Sequence, residues 1–301
     1  MLIELIEQAF DRLRLLDELF ISRGYKPLVL FSGGKDSLVV LDLCHQYFGS
    51  DFHVAYIHIP GNTHEECDYY VLCTVEKYLG SLRRFHYLFK KEQIRIRGVK
   101  REPDFFEYCK YYGLPLLYSN RWCMRIFKIE VLKQLPQCYV FVSGETASSK
   151  FRSKFYSNVL NDGFIVKGKV DTMYYNHHNL KLIYDWEKKH VTRYIKLYNL
   201  KLNPLYKTIG HSGNCMLCPG YLSSVDKILH YLRRLELHYS HWYKKILQLF
   251  RDFMDYHRKM IGCNLPCSKC PYLKDRNRYI YAKRIGIVLE LLNNDIRKYL
   301  T

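Results

Sequence analysis

The sequence predicts an α/β protein in which helices cover both faces of a parallel sheet, with a smaller, cysteine-rich and mainly helical C-terminal region. Between residues 27 and 143, short β-branched or aromatic runs alternate with longer runs of helical periodicity. This alternation is typical of a parallel sheet, whose ligands bind at the carboxyl ends of the strands. After about residue 205, cysteine-rich turns flank helical segments instead. We therefore expect two domains, at residues 1–205 and 206–301.

The predicted elements follow one another along the chain. Residues 1–20 form an amphipathic helix, because acidic residues interrupt its apolar positions. The predicted strands are PLVLFSG, FHVAYIHI, RRFHYLF and CYVFVSG, and the predicted helices are SLVVLDLCHQYF, EECDYYVLCTVEKYL and RIFKIEVLKQL. Two helical stretches, at about residues 223–260 and 275–298, belong to the C-terminal region.

The charge of the chain predicts an acidic partner. Its 301 residues include 47 Lys and Arg against 29 Asp and Glu, a net charge of +18, and 48% of them are hydrophobic. This composition is typical of a folded chain and excludes extensive disorder. No apolar run reaches the length of a membrane span, and the N-terminal helix lacks the features of a secretory signal. We expect a cytoplasmic protein that stays out of the membrane and binds nucleotides or nucleic acid.

The segment VLFSGGKDSLVVL predicts a phosphate-binding loop, since a strand ends at Phe31, a turn follows and a helix begins at once. Glycine permits unusual backbone conformations, so the loop amides can contact a phosphate beside the positive end of the helix. Asp36 is expected to cap that helix or to act through a cation such as Mg²⁺. The alternative is a plain glycine-rich turn without a ligand. We assign to the nucleotide Ser32, Gly33, Gly34, Lys35, Asp36 and Ser37, with the serines as hydroxyl donors and the lysine as a mobile charge.

The loop SGGKDS resembles the pyrophosphatase loop (PP-loop) of the ATP-pyrophosphatase superfamily, whose members cleave ATP between the α and β phosphates. Further segments follow in the order found in the phosphoadenosine phosphosulfate (PAPS) reductase family and its DNA and tRNA sulfur-transfer relatives. These are HIPGNTHEE at 58–66, RWCMRIFK at 121–128, SGETASSKFR at 143–152, DW at 185–186, LNPLY at 202–206 and NCMLCP at 214–219. The resemblance covers about residues 25–220.

The resemblance implies an adenine nucleotide alpha hydrolase-like fold, with ATP or a sulfonucleotide as ligand. It adds Gly144 to the nucleotide-binding residues and implies catalytic roles for Lys35, Asp36 and Arg152. The chain departs from the family pattern at Met124 and at Thr146, where the family has a cysteine and an arginine. It also has no cysteine after Cys270, whereas thioredoxin-dependent PAPS reductases carry a catalytic cysteine in their C-terminal tail. The two substitutions concern substrate recognition, and the missing tail cysteine disfavours simple sulfonucleotide reduction.

Eleven cysteines predict metal or cluster ligation, because cytoplasmic thiols stay reduced. The resemblance implies that Cys123, Cys215 and Cys218 hold a 4Fe–4S cluster, with one iron open to sulfide unless the tail supplies a fourth thiolate. Possible fourth ligands, or a second site for zinc, are Cys263, Cys267 and Cys270. The alternative pairs Cys215 and Cys218 with two of the tail cysteines around a structural Zn²⁺. The expected core thiols are Cys44, Cys67, Cys73, Cys109 and Cys138.

These observations predict an adenylating, ATP-dependent sulfur-transfer enzyme that uses an iron–sulfur cluster and modifies a nucleic acid, either tRNA or DNA. It requires a sulfur or electron donor protein. Basic stretches at residues 90–101 and 150–154 are expected to contact the phosphate backbone. Two alternatives remain at this point: a reductase of PAPS or adenylyl sulfate, and a nucleotide-gated nucleic-acid binder with a structural zinc.

Overall fold

Contacts between residues divide the chain into two compact units. A six-stranded sheet forms the centre of the first unit. The computed structural model describes residues 2–96, 99–115, 121–146, 164–165, 177–262 and 280–293. The first unit comprises Met1–Ile59, Thr63–Lys90 and Met124–Asn214, and the second comprises Pro60–Asn62, Lys91–Cys123 and Cys215–Thr301.

The sheet is parallel except for one edge strand. Its strands, with the separate hairpin β4–β5, are β1 Lys26–Leu30, β2 His53–Ile57, β3 Phe85–Leu88, β4 Ile94–Ile96, β5 Val99–Arg101, β6 Tyr139–Ser143, β7 Phe164–Ile165 and β8 Asn179–Lys181. They are ordered β3-β2-β1-β6-β8-β7, and only β7 runs antiparallel to its neighbour. This confirms the predicted parallel sheet, with β1 at its centre.

Continuous apolar runs produce the central strands. All five residues of β6 are buried, as are Leu28 and Val29 of β1, which is typical of parallel strands covered on both faces. The flanking helices of this unit are α1 Leu2–Leu19, α2 Lys35–Phe48, α3 Glu65–Leu79, α7 Lys188–Leu197 and α8 Leu205–Thr208. A further helical segment runs from α5, Trp122–Met124, through π-helical Arg125–Ile129 to α6, Glu130–Leu132. The predicted N-terminal helix is confirmed: α1 buries apolar residues three or four positions apart.

The described part of the second unit is mainly helical, as predicted. Its helices are α4 Phe105–Tyr112, α9 Val225–His238, α10 Ser240–Ile261 and α11 Ile280–Asn293. The helical stretch predicted at 223–260 is divided in two at Tyr239, whose backbone is not helical. None of the helices that the structure describes has the length and hydropathy needed to span a membrane.

Contacts divide the chain differently from the predicted domains. The boundary falls between Asn214 and Cys215 instead of after residue 205. Residues 91–123, expected in the nucleotide domain, belong to the second unit. The physical reason is that α4 packs against α10, far along the chain, and local patterns cannot reveal such long-range packing.

Candidate active site

The predicted phosphate loop begins where the hydrogen bonds of β1 end. The amide of Phe31 still donates to the Ala55 carbonyl at 2.9 Å, and α2 begins at Lys35 with Gly34 as its N-cap residue. The loop therefore lies at the carboxyl end of the central strand and at the N-terminus of a helix. Unpaired amides and the helix dipole favour an anion at such a position.

The two loop serines hold the turn together. The Ser37 hydroxyl donates to the Gly34 carbonyl at 3.0 Å and accepts from the Ser32 amide at 3.2 Å. The Ser32 hydroxyl lies 3.2 Å from the same oxygen and is the donor in that contact, because the single proton of Ser37 is already used. Both hydroxyls thus make hydrogen bonds within the loop. Their contact with a nucleotide stays a prediction.

Gly33 is required for two separate reasons. Its φ is +70°, in the left-handed region that favours glycine. A Cβ atom there would also lie 3.1 Å from Val71 Cγ2 and 3.2 Å from Cys67 Sγ. The loop is therefore pressed against the buried side of α3.

Replacing Gly33 by alanine should lower the free energy of unfolding by more than the about 1–2 kcal/mol expected from left-handed strain alone, since close contacts add to that strain. Gly80→Ala is the matched control: its φ is +69°, but a Cβ there meets nothing within 4 Å. Urea unfolding of both variants measures the difference. Equal losses would show that the loop does not press on α3.

Gly144 brings β6 close to the start of α2. A Cβ at this position would lie 2.8 Å from the carbonyl carbon and oxygen of Asp36 and 3.0 Å from the Ser37 amide nitrogen. Only glycine permits this approach of two backbones. Its role in nucleotide binding stays a prediction, but the structure places it beside the first turn of the helix.

Tyr206 contacts the loop, although the sequence singled out its LNPLY segment only as a landmark. The Lys35 amide, the first of α2, donates to the Tyr206 hydroxyl at 3.1 Å. Asn203 orients this segment, since its side chain accepts from the Leu205 amide at 3.0 Å and donates to the Ser212 carbonyl at 2.9 Å. Burial raises the pKa of Tyr206, so the phenol keeps its proton and can donate it to an anion at the loop.

Replacing Tyr206 by phenylalanine should weaken ATP binding roughly tenfold, because one hydrogen bond to a charged group is lost. The matched control is Tyr70→Phe, which removes another buried hydroxyl, one that donates to the Lys201 carbonyl at 2.8 Å. Equilibrium titration with ATP measures both affinities. An unchanged affinity in Tyr206→Phe would remove this residue from the site.

The structure describes two of the three predicted catalytic residues, Lys35 and Asp36. Lys35 and Asp36 are both half-buried in the first turn of α2. The Asp36 charge is close enough to Tyr206 to contribute to its raised pKa. Arg152 and the basic stretch at 150–154 lie outside the described residues.

In the second unit, Asn62 holds the C-x-x-C turn. This fully buried side chain accepts from the Leu217 amide at 2.7 Å, and its amide group lies 3.7 Å from Cys215 Sγ, to which it donates. Its backbone carbonyl accepts from the Met216 amide at 2.8 Å. The sequence motif that contains Asn62 was visible, but its contact with a turn about 150 positions later was not.

Cys215 and Cys218 lie together beside Tyr231. Burial, followed by the negative charges of these two thiols, raises the pKa of Tyr231, whose hydroxyl donates to the Met216 carbonyl. Both thiols are partly exposed. Two thiols three positions apart in sequence are therefore close to the same buried tyrosine, and we refer to them as the thiol pair.

Cys123, the third predicted cluster ligand, lies near Cys109. Burial and then the charge of Cys123 raise the pKa of Cys109 well above its usual value, which places these two cysteines near each other. Across the described ranges, no three His, Cys, Asp or Glu side chains form a group that could hold a metal ion. Cys263, Cys267 and Cys270 lie outside those ranges. The described residues thus do not by themselves fit a cluster, and the ligand set stays a prediction.

The expectation of five core thiols is correct for three and wrong for two. Cys44, Cys67 and Cys109 are buried, and burial raises the pKa of Cys67 to about 12, so it is an inert thiol beneath the loop. Cys73 and Cys138 are exposed. Cys73 lies on the outer face of α3, and Cys138 precedes β6, so apolar neighbours in sequence did not imply burial.

The chain matches a family model and a curated relative. The model is described as the phosphoadenosine phosphosulfate reductase domain and matches residues 26–263. An uncharacterised protein of Methanocaldococcus jannaschii is 30% identical over 224 residues, which are 69% of this chain and 40% of that protein. The chain thus spans about two fifths of the length of this relative.

Several solved structures are similar to this chain, with TM-scores below 0.5. A phosphoadenylyl-sulfate reductase from Candida auris, in complex with phosphate, has a TM-score of 0.43 and 15% identity, over 66% of this chain and 83% of that chain. An FMN adenylyltransferase from Candida glabrata, with FAD and inorganic pyrophosphate, has a TM-score of 0.42 and 14% identity, over 68% and 60%. The U34-tRNA thiolase NcsA from Methanococcus maripaludis, with its 4Fe–4S cluster, has a TM-score of 0.40 and 14% identity, over 88% and 83%.

Proposed function

Since this chain belongs to the phosphoadenosine phosphosulfate reductase family, a family of enzymes, we propose that it is an ATP-dependent sulfur-transfer enzyme that adenylates a nucleic acid. The observation that carries this proposal is the loop at residues 32–37. It combines a left-handed glycine, a helix N-terminus and a lysine at the carboxyl end of the central parallel strand. Those are the features that bind the phosphates of a nucleotide.

The first step is adenylation. An oxygen of the acceptor attacks the α phosphorus of ATP, the bond to the bridging oxygen breaks, and pyrophosphate leaves with the electron pair. Lys35, the amides of the first turn of α2 and the Tyr206 hydroxyl stabilise the charge that develops on the phosphates. Asp36 supplies the carboxylate oxygen that Mg²⁺ prefers, and the bound ion would neutralise phosphate charge. No protein nucleophile is needed.

The second step is sulfur transfer through the thiol pair, with sulfur from a donor protein. One cysteine of the pair receives a sulfur atom as a persulfide from a sulfur-donor protein. The terminal sulfur attacks the atom that carries the adenylated oxygen, and AMP leaves. The other cysteine then attacks the sulfur–sulfur bond, which releases the thiolated acceptor and leaves a Cys215–Cys218 disulfide. A thiol reductant restores the pair.

Charge favours a nucleic acid as the acceptor. The net charge of +18 exceeds what binding one nucleotide requires, and a polyanion is held mainly by such charges. Two lysines at the β4–β5 hairpin are exposed: Lys91, which precedes β4, and Lys100, which lies in β5. Both tRNA and DNA fit this charge.

Pyrophosphate release from ATP, measured with total RNA, with DNA and without either, tests the proposal. We expect release that depends on one nucleic acid and is lost in Lys35→Ala but kept in Lys133→Ala, a surface lysine paired with Glu130. Reduction of adenylyl sulfate or PAPS without ATP turnover would instead identify a sulfonucleotide reductase. Nucleic-acid binding without either reaction would identify a binding protein.

A further inference from the structure

Three polar side chains meet at the amino-terminal end of the sheet, opposite to the phosphate loop. His53 is the first residue of β2, Tyr139 is the first of β6, and His86 is the second of β3. His53 Nδ1 lies 3.1 Å from His86 Nε2. The Tyr139 hydroxyl lies 3.2 Å from His86 Nε2 and 3.5 Å from His53 Nδ1. The proposed reaction uses none of these residues.

The sheet register fixes this arrangement. His53 pairs with Leu28 and His86 pairs with Ala55, so both histidines are in line with residues of one apolar cluster, to which Tyr139 also belongs. That cluster includes Leu28, Ala55, Leu132, Leu135 and Phe141. Tyr139 is 6% exposed, whereas the two histidines are half-buried. The three side chains thus lie beside this apolar cluster, and solvent reaches the two histidines.

Three atoms that can bind a metal ion lie within 3.5 Å of one another here. Each imidazole nitrogen carries either one lone pair or one N–H, so a hydrogen bond uses one of its two neighbours at a time. A single cation at the centre would contact all three atoms at once. Ligands that bind tetrahedral zinc at about 2.0 Å lie about 3.3 Å from one another. The three separations here, 3.1, 3.2 and 3.5 Å, bracket that value.

We propose that His53, His86 and Tyr139 form a binding site for a divalent transition metal of the zinc class. Two imidazole nitrogens and a phenolic oxygen suit such an ion, with water in the fourth position. Burial, then the charges of His86, Lys26 and Arg84, lower the pKa of His53 to about 4, while Asp51 opposes this shift and pairs with Arg84 at 2.9 Å. Burial therefore favours the neutral imidazole, one ring nitrogen of which carries a lone pair.

Binding at this site releases a proton. Burial, with the charge of Cys138, raises the pKa of Tyr139, so the phenol is protonated without a metal. Coordination by the phenolate oxygen displaces that proton to solvent. Zinc binding should therefore produce a tyrosinate difference band in the near-ultraviolet spectrum, which zinc bound only by cysteines does not produce.

Zn²⁺ itself is the probe, added to the reduced, chelator-treated full chain, with bound zinc measured by equilibrium dialysis and metal analysis. We expect His53→Asn and His86→Asn each to lose about one equivalent of zinc and the tyrosinate band. His230→Asn, an exposed helical histidine, is the matched control and should keep both. Cys215→Ser should keep the tyrosinate band, since Cys215 is not part of this site.

Equal zinc binding by the wild type and folded His53→Asn, or no tyrosinate band in the wild type, would overturn the proposal. If the histidine variants fail to fold, Tyr139→Phe decides the question because it keeps the buried ring. We expect this variant to lose the tyrosinate band and to bind the ion more weakly, because one of the three protein ligands is removed. An unchanged zinc affinity in Tyr139→Phe would equally overturn the site.

Discussion

Asp36→Ala should reduce AMP formation from ATP by at least about 100-fold, which is the usual effect of removing one group that stabilises transition-state charge. The carboxylate is half-buried in the first turn of α2, beside the loop that we assign to the phosphates. In the proposed reaction Asp36 would hold Mg²⁺, so its loss would leave the charge on the leaving pyrophosphate less well neutralised. AMP and pyrophosphate are measured together, in the presence of the nucleic acid that stimulates release.

Asp51→Ala is the matched control for this experiment. It removes the same charge from a side chain that is 85% exposed and pairs with Arg84. We expect normal AMP formation, because this residue lies before β2, at the opposite end of the sheet. If Asp36→Ala turns over ATP at the wild-type rate, Asp36 has no part in the reaction. Crystals that contain nucleotide elsewhere and leave residues 32–37 empty would end the enzymatic proposal.

Cys215→Ser and Cys218→Ser should each abolish sulfur incorporation into the nucleic acid while ATP cleavage continues. The physical reason is that adenylation uses the phosphate loop, whereas sulfur transfer requires both thiols of the pair. Incorporation of labelled sulfur and release of pyrophosphate are measured in parallel. Loss of both activities in folded variants would contradict the division of the reaction into two steps.

Cys73→Ser is the matched control, since Cys73 is an exposed thiol of α3. Iron and zinc analysis of anaerobically purified variants tests the predicted ligand set in the same series. If Cys123, Cys215 and Cys218 hold a cluster, each of their serine variants loses iron and the Cys73 variant keeps it. Loss of metal only on replacing Cys215, Cys218 and the tail cysteines would instead support the zinc alternative.

Much of the fold could be predicted from local patterns. The apolar runs of β1 and β6 are long enough, and uniform enough, to indicate strands buried on both faces. The glycine pair after β1 predicted the turn, because few other residues adopt the conformation of Gly33. The acidic interruptions in residues 1–20 predicted the exposed face of α1.

The partners of the site could not be predicted in the same way. Tyr206 contacts the Lys35 amide across 171 positions of sequence, and Asn62 contacts Cys215 across 153. Neither residue type is unusual at its position, so no local signal distinguishes these side chains from ordinary buried polar groups. The use of the serine protons within the loop also depends on distances that composition does not contain.

By itself, the sequence determined the parallel sheet, the glycine turn at residues 32–37 and the family, because each depends on residues that are adjacent or regularly spaced. The tertiary structure alone decided that Tyr206 contacts the loop at residues 32–37, that residues 91–123 join the second unit, and that His53, His86 and Tyr139 converge. These three results depend on which distant segments touch. Contacts of that kind follow from packing of the whole chain, where burial of apolar surface sets strand order and helix position.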